Sequence, residues 1–417
     1  MPVPALRAVR CAVVLALIAL PACSGPADAP STGSGTATRT PGAPTGGSPS
    51  DVASAVGAVL AARDAALAAG DEKAFTATVA HVDGEAGRAQ LAAFRAARAL
   101  RATVSHDVVP PVDDAEAVDV VQRYRVAGVD RADRTATVRY SVVPRGDGWL
   151  VASESATAGS AAPPWLAMPG LTTLRTTHAV VAGSAEPAAL DSAARTVDRA
   201  LPALAEHWSG TPERTLVLVP STEDEAGSLL GSSGGGLAAT TDGPVGPDGL
   251  ATGDRVVLDP QARRRLTDTG RDVVLTHELV HVAVRASAPG EAPTWLDEGY
   301  ADHVGYARAG LPERRLAAAL VAAVGSDGVP GDLPAPSAFD PAAGGVEVGY
   351  LAAWQAAETV AELAGEDGLR RLVRACRSPD GPRDAERVCD AAMPGILGTD
   401  RAGLIRRWQL RLQALSG

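Results

Sequence analysis

The residues best suited to chemistry stand together in His277-Glu278-Leu279-Val280-His281. On a helix, positions i and i+4 face the same way, so both imidazoles can reach one metal ion. Glu278 lies one step round the helix, beside the position that a catalytic metal keeps open. Neutral imidazole suits zinc, and zinc lowers the pKa of bound water to about 7. Glu278 can then take that proton and deliver it to a leaving amine. With seven histidines in the chain, chance produces this spacing in about one chain in a hundred. The apolar positions Val273, Val274, Val280 and Val284 put the motif on a buried helix. They argue against an exposed polar face on which histidines merely pair with carboxylates.

Two histidines do not complete a site, because a catalytic zinc takes three protein ligands and leaves a fourth position for water. A metzincin arrangement needs Gly three residues after the second histidine and His six after, and Val284 and Ser287 occupy those positions. Cys376 and Cys389 are far away in sequence, with no histidine near either. In an exported chain they read as a disulfide, which contributes about 3 kcal/mol by closing a short loop. A carboxylate on a following helix remains, and Trp295-Leu296-Asp297-Glu298-Gly299-Tyr300-Ala301-Asp302 offers it. This segment resembles the second helix of the gluzincin metallopeptidases, in which W-L-x-E-G follows H-E-x-x-H. Aminopeptidase-N-like enzymes and the smaller peptidase-MA-like families share that layout.

By position, the resemblance makes Glu298 the third ligand of a single zinc ion. Asp302, four residues on and on the same helix face, is placed to accept the free ring N–H of a ligand histidine, His277 first. Asp297 points about a quarter-turn away, and His303 fits the pattern less well than its neighbour Asp302. Tyr350, followed by an apolar helix that ends at Gly365-Glu366, resembles the segment bearing the catalytic tyrosine of aminopeptidase-N-like enzymes. It is the candidate oxyanion stabiliser, with Tyr300 and Tyr306 as alternatives, and a plain core tyrosine is the competing reading. The resemblance is specific over about Arg271–Val304, looser from Gly349 to Trp408 and absent before Thr177. The Gly-x-Met-Glu-Asn signature that grips a free amino terminus is not found, which favours an endopeptidase or processing enzyme over an aminopeptidase.

These residues require a scaffold, and the chain divides to supply it. Arg7 and Arg10 precede an apolar stretch, Cys11 to Leu20, too short to span a bilayer. Leu20-Pro21-Ala22-Cys23 follows and resembles the lipobox of bacterial lipoproteins. Residues 1–22 are therefore expected to be a signal peptide outside the fold, and Cys23 a lipidated anchor at the outer face of the cell membrane. Residues 24–50, rich in Ser, Thr, Gly, Pro and Ala, form a flexible tether. Residues 51–162 read as a small α+β domain. Asp51 caps a helix to Ala69 with Gly70 as its stop, a second helix spans about Glu85–Leu100, and strands fall near Val118–Val126, Thr135–Val143 and Trp149–Ser153. That order resembles cystatin-like or nuclear-transport-factor-like folds. From Pro163-Pro164 onward, residues 163–417 read as one α+β unit, a zincin-like catalytic domain by the resemblance. Its strands are expected at His178–Ala182, Thr215–Val219 and Arg255–Leu258, with a helix over Ala188–Trp208. Gly231 to Gly253 reads as a long glycine-rich loop, or as the rim of a cleft. It lacks the Lys and the following helix of a phosphate loop.

The 417 residues carry a formal net charge of −11, which gives no electrostatic footprint for nucleic acid. Aromatic residues make up only 3%, so the core must be aliphatic. The expected partners are a peptide or protein substrate and, through Cys23, a membrane. Two other functions fit the same residues: a non-catalytic surface lipoprotein with a vestigial or structural metal site, and a zinc amidase acting on a cell-wall bond.

Overall fold

The computed structural model describes residues 9–13, 49–108, 117–146, 148–232 and 237–417. Cys23 and nearly all of the expected tether lie outside the described residues. The fold is mixed α+β. Its first strand, β1 (Val9–Val13), belongs to the second of two sheets.

The first unit packs α1 (Pro49–Ala69), α2 (Glu72–Thr76) and α3 (Glu85–Ala99) on a four-stranded antiparallel sheet. Its strands, β2 (Ala102–Val108), β3 (Ala117–Val126), β4 (Arg134–Arg145) and β5 (Gly148–Ala156), pair in sequence order. Helix α1 starts at Pro49, two residues before the expected cap, and ends at Gly70, whose φ of +70° is the left-handed stop that glycine tolerates. In β3, Val118, Val120, Gln122, Tyr124 and Val126 point inward and alternate with exposed Asp119, Arg123 and Arg125. The short α2 and the half-buried β2 carry no such contrast, and the sequence reading omitted both.

The second unit begins where Pro163-Pro164 opens α4 (Pro164–Ala167). Its sheet contains β6 (Thr172–Arg175), β7 (Ala179–Gly183), β8 (Thr215–Val219), β9 (Ala239–Gly243) and β10 (Arg255–Leu258), in the spatial order β1-β9-β10-β8-β7-β6. Strands β7, β8 and β10 run parallel, while β6, β9 and β1 are antiparallel to their neighbours. The central strands are buried on both faces, which is why they read as unbroken apolar runs. One face, with Val181, Val217 and Val256, packs on α5 (Pro187–His207). The other, with Val180, Ala182, Leu216, Leu218 and Val257, belongs to one buried cluster with Leu229 and Leu230 of α6 (Glu223–Leu230) and with Phe75, Phe94, Tyr124 and Trp165. The boundary near residue 162 therefore separates two sheets but not two cores.

One expectation changes here. Within the expected signal peptide, Val9–Val13 pairs antiparallel with β9, with Cys11 opposite Thr241. Strand β9 would otherwise end the sheet with a row of unpaired backbone groups, and an extended segment satisfies them. The glycine-rich stretch Gly231–Gly253 is not loop throughout, because it contains β9 itself. Ala239-Thr240-Thr241-Asp242-Gly243 has no apolar alternation, but every one of its residues is buried.

Beyond β10, α7 (Pro260–Arg265) leads into α8 (Asp268–Arg285), which runs beneath the sheet beside α5. Thr267 caps α8 by accepting from the Gly270 N–H. The remaining helices are α9 (Thr294–Tyr306), α10 (Glu313–Leu316), α11 (Ala318–Asp327), α12 (Val346–Ala375), α13 (Pro382–Leu397) and α14 (Arg401–Ser416). The helix expected to end at Gly365-Glu366 breaks there, with φ +71° at Gly365, and resumes to Ala375. A disulfide joins Cys376, at the end of α12, to Cys389 in α13. Among the described residues, no helix is long and apolar enough to cross a membrane.

Candidate metal centre

Helix α8 carries the site because its middle is buried on every side. Residues 273 to 285 are all buried, and Leu279, Val280 and Val284 anchor it in the core. That packing fixes the rotation of the helix and turns His277 and His281 toward α9. Helix α9 is held in turn by fully buried Trp295 and Leu296. Gly299 lets α9 press directly on α12: a Cβ there would collide with the backbone carbonyl of Ala353. The glycine of Trp-Leu-Asp-Glu-Gly thus seats α9 against α12 right beside Glu298.

The three side chains converge. His277 Nε2 lies 3.0 Å from His281 Nε2 and 3.1 Å from Glu298 Oε2, and His281 Nε2 lies 3.4 Å from the same oxygen. All three residues are at most 5% exposed, a burial that polar groups tolerate only when bound. Among the described residues, this is the one group of His, Cys, Asp or Glu that could hold a metal ion. Behind it, His277 Nδ1 lies 2.7 Å from Asp302 Oδ1. The Nδ1–H donates to that carboxylate, which turns Nε2 toward the cluster.

The electrostatics follow from this packing. Burial pulls the His277 pKa down, but Asp302 and Glu298 outweigh it and raise it to about 9. Burial pushes Glu298 up, and the charge and hydrogen bonds of the two histidines overcome that and bring it to about 2. Glu278 is raised from the usual carboxylate range, chiefly by complete burial. Its Oε2 accepts a hydrogen bond from the Thr241 hydroxyl on β9. Its Oε1 is buried and has no hydrogen-bond partner among the described residues.

The other candidates separate cleanly. Tyr350, near the start of α12, is buried with its ring 6.2 Å from that of His277 and edge-on to Phe339 at 5.1 Å. Tyr300 packs on Trp208 at 5.6 Å, and burial raises its hydroxyl to about 12. Tyr306 packs on Trp354 at 4.5 Å. Asp297 pairs with Arg377 at 3.0 Å. His303 lies 3.0 Å from Glu358 and 3.1 Å from Glu366, outside the cluster. Thr241 was missed by the sequence reading, which saw β9 as loop. The signal that was there is a Thr-Thr-Asp run just ahead of a strand predicted at residue 255.

Comparison with protein-family models and with curated proteins gives no match.

Proposed function

We propose that the chain is a zinc metallopeptidase of the gluzincin type, with a zincin-like arrangement of β9, α8 and α9 around its centre. The observation that carries this reading is the convergence of His277, His281 and Glu298. Ligand atoms around one tetrahedral zinc lie roughly 3.3 Å apart, and these stand 3.0 to 3.4 Å apart. The orphaned, buried Oε1 of Glu278 beside them fits a proton acceptor better than a structural residue.

A zinc ion held by these residues supplies Lewis acidity, lowering the pKa of water and polarising a peptide carbonyl. Glu278, its pKa raised by burial, accepts the proton of the attacking water and delivers it to the leaving amine. Asp302 keeps the His277 ring in one orientation and one tautomer. Tyr350, beside His277 on the α12 side, is assigned to the developing oxyanion. The first-ranked test is Glu278→Gln: turnover of a peptide library falls by about three orders of magnitude or more, while one zinc per chain is retained. Unchanged turnover in that variant would remove the reading. Tyr350→Phe lowers kcat with little change in KM.

In the same reading the chain is exported and anchored through Cys23. Cleavage ahead of Cys23 then removes Val9–Val13 from β9. The strand's outer N–H and C=O groups become available to an extended peptide lying along β9.

A further inference from the structure

Strand β9 links two groups that lie on opposite faces of the sheet. Successive residues of a strand point to opposite sides, and β9 uses both. Thr241 faces α8, where its hydroxyl donates to the Glu278 carboxylate. Asp242 faces the first unit, where its carboxylate lies 3.4 Å from Arg255 Nη2 and 3.7 Å from Arg134 Nη1. Arg134 belongs to β4, in the unit that contains none of the site residues. Its Nη2 donates to the carbonyls of Asp242 at 3.0 Å and Gly253 at 2.5 Å. Arg285, at the far end of α8, completes the hold: its Nη2 donates to the Gly243 carbonyl at 3.1 Å and its Nε to Asp254 at 2.8 Å. Gly243 is required there, since a Cβ would collide with the Asp254 carboxylate. Arg134, Asp242, Asp254, Arg255 and Arg285 are all buried, and each is held by polar partners, which for Arg134 include Asp130 at 3.5 Å and for Arg255 the Tyr124 hydroxyl and the Leu229 carbonyl.

We propose that Thr241 is a positioning residue for Glu278, and that Arg134 fixes Thr241 by clamping the end of β9, which gives the first unit a part in the site. The proposal rests on the peptidase reading above. The hydroxyl of Thr241 occupies one oxygen of Glu278 and leaves the other as the proton acceptor. A hydroxyl on a strand can do this only if the strand is held in place. Here the holding groups include a guanidinium that the first sheet inserts into the bend between β9 and β10. Through Arg134 the first unit therefore acts on Thr241 from the opposite face of β9.

Three measurements on the full-length protein test this. Thr241→Val keeps the shape and removes the donor. It lowers kcat about ten- to hundredfold, leaves KM within about twofold and retains zinc, and Thr241→Ser restores the rate. The Glu278 carboxyl carbon resonance, identified by its absence from Glu278→Gln, moves in Thr241→Val and returns in Thr241→Ser. Arg134→Met speeds amide exchange across Thr240–Gly243 at least about tenfold and lowers kcat in the same direction. Arg134→Lys, which keeps the charge and loses the two-pronged geometry, supplies the exchange measurement if Arg134→Met does not fold. A Glu278 resonance that stays put in Thr241→Val, or a kcat loss explained by zinc loss, overturns the proposal. If the resonance and exchange respond while even the wild type hydrolyses no peptide, the positioning stands and the peptidase reading falls.

Discussion

Replacing Asp302 with Asn keeps the side chain's shape and removes the negative charge behind His277. Two effects then oppose each other. The hydrogen bond from His277 Nδ1, 2.7 Å long and fully buried, loses its charged acceptor. Loss of such a partner weakens metal binding about ten- to hundredfold. The same charge, together with the Glu298 hydrogen bond, also holds a proton on the imidazole against the effect of burial, raising its pKa to about 9. A metal must displace that proton, so below pH 9 wild-type affinity should drop about tenfold per pH unit, or about hundredfold at pH 7. In Asp302→Asn the His277 pKa falls toward 6.5, and the competition fades over the same range. Zinc affinity, measured against a chromophoric chelator from pH 7 to 9, should climb with a slope of about one in the wild type and stay nearly flat in the variant. The curves should therefore be furthest apart at pH 9 and converge toward pH 7. A flat wild-type curve, or a variant that binds as tightly as wild type at pH 9, would refute the assignment of Asp302 as the group that sets His277.

The same shift makes the metal-free protein sensitive to alkali. His277 has a higher pKa folded than unfolded, so its contribution is fully present below pH 6.5 and is lost as pH rises through 9. The melting temperature of chelator-treated protein should fall across that window, by the equivalent of about 3 kcal/mol, and excess zinc should abolish the fall. Glu298 acts in the opposite direction. Its folded pKa of about 2 gives stability that is present above pH 4.5 and lost as pH drops toward 2, which acid unfolding of the Glu298→Gln variant should reveal. Gly299→Ala forces a methyl group against the Ala353 carbonyl and should cost about 1–3 kcal/mol in denaturant unfolding; an unchanged midpoint would mean that α9 and α12 are not in contact there.

The histidine half of the centre was legible because its residues obey local rules, whereas Glu298 and Asp302 came from the resemblance. His277, Glu278 and His281 lie within one helix, and apolar periodicity reveals such a helix. The same holds for β8 and β10, whose buried runs fall where the sequence reading put them. Strand β9 obeys no local rule. Its Thr240, Thr241 and Asp242 are buried because Glu278, Arg134 and Arg255 come to meet them from distant parts of the chain. A polar strand satisfied by tertiary partners has the composition of a loop, and Thr241 was lost with it. The buried cluster that spans position 162 was hidden for a related reason. Pro163-Pro164 is a real break in secondary structure, but a break in the chain says nothing about which apolar faces meet afterward. Phe75 and Phe94 give no hint in sequence that they share a core with Val180 and Leu218.

That shared core bears on how the molecule comes apart. The apolar layer between the two sheets is built from residues on both sides of position 162, so neither side can melt without stripping the other. The calorimetric transition that melts the first sheet should therefore also loosen β7 and β8, which share that layer. Substitutions far from the candidate metal centre, at Phe94 or Trp165, would then reduce the abundance of folded protein in a cell.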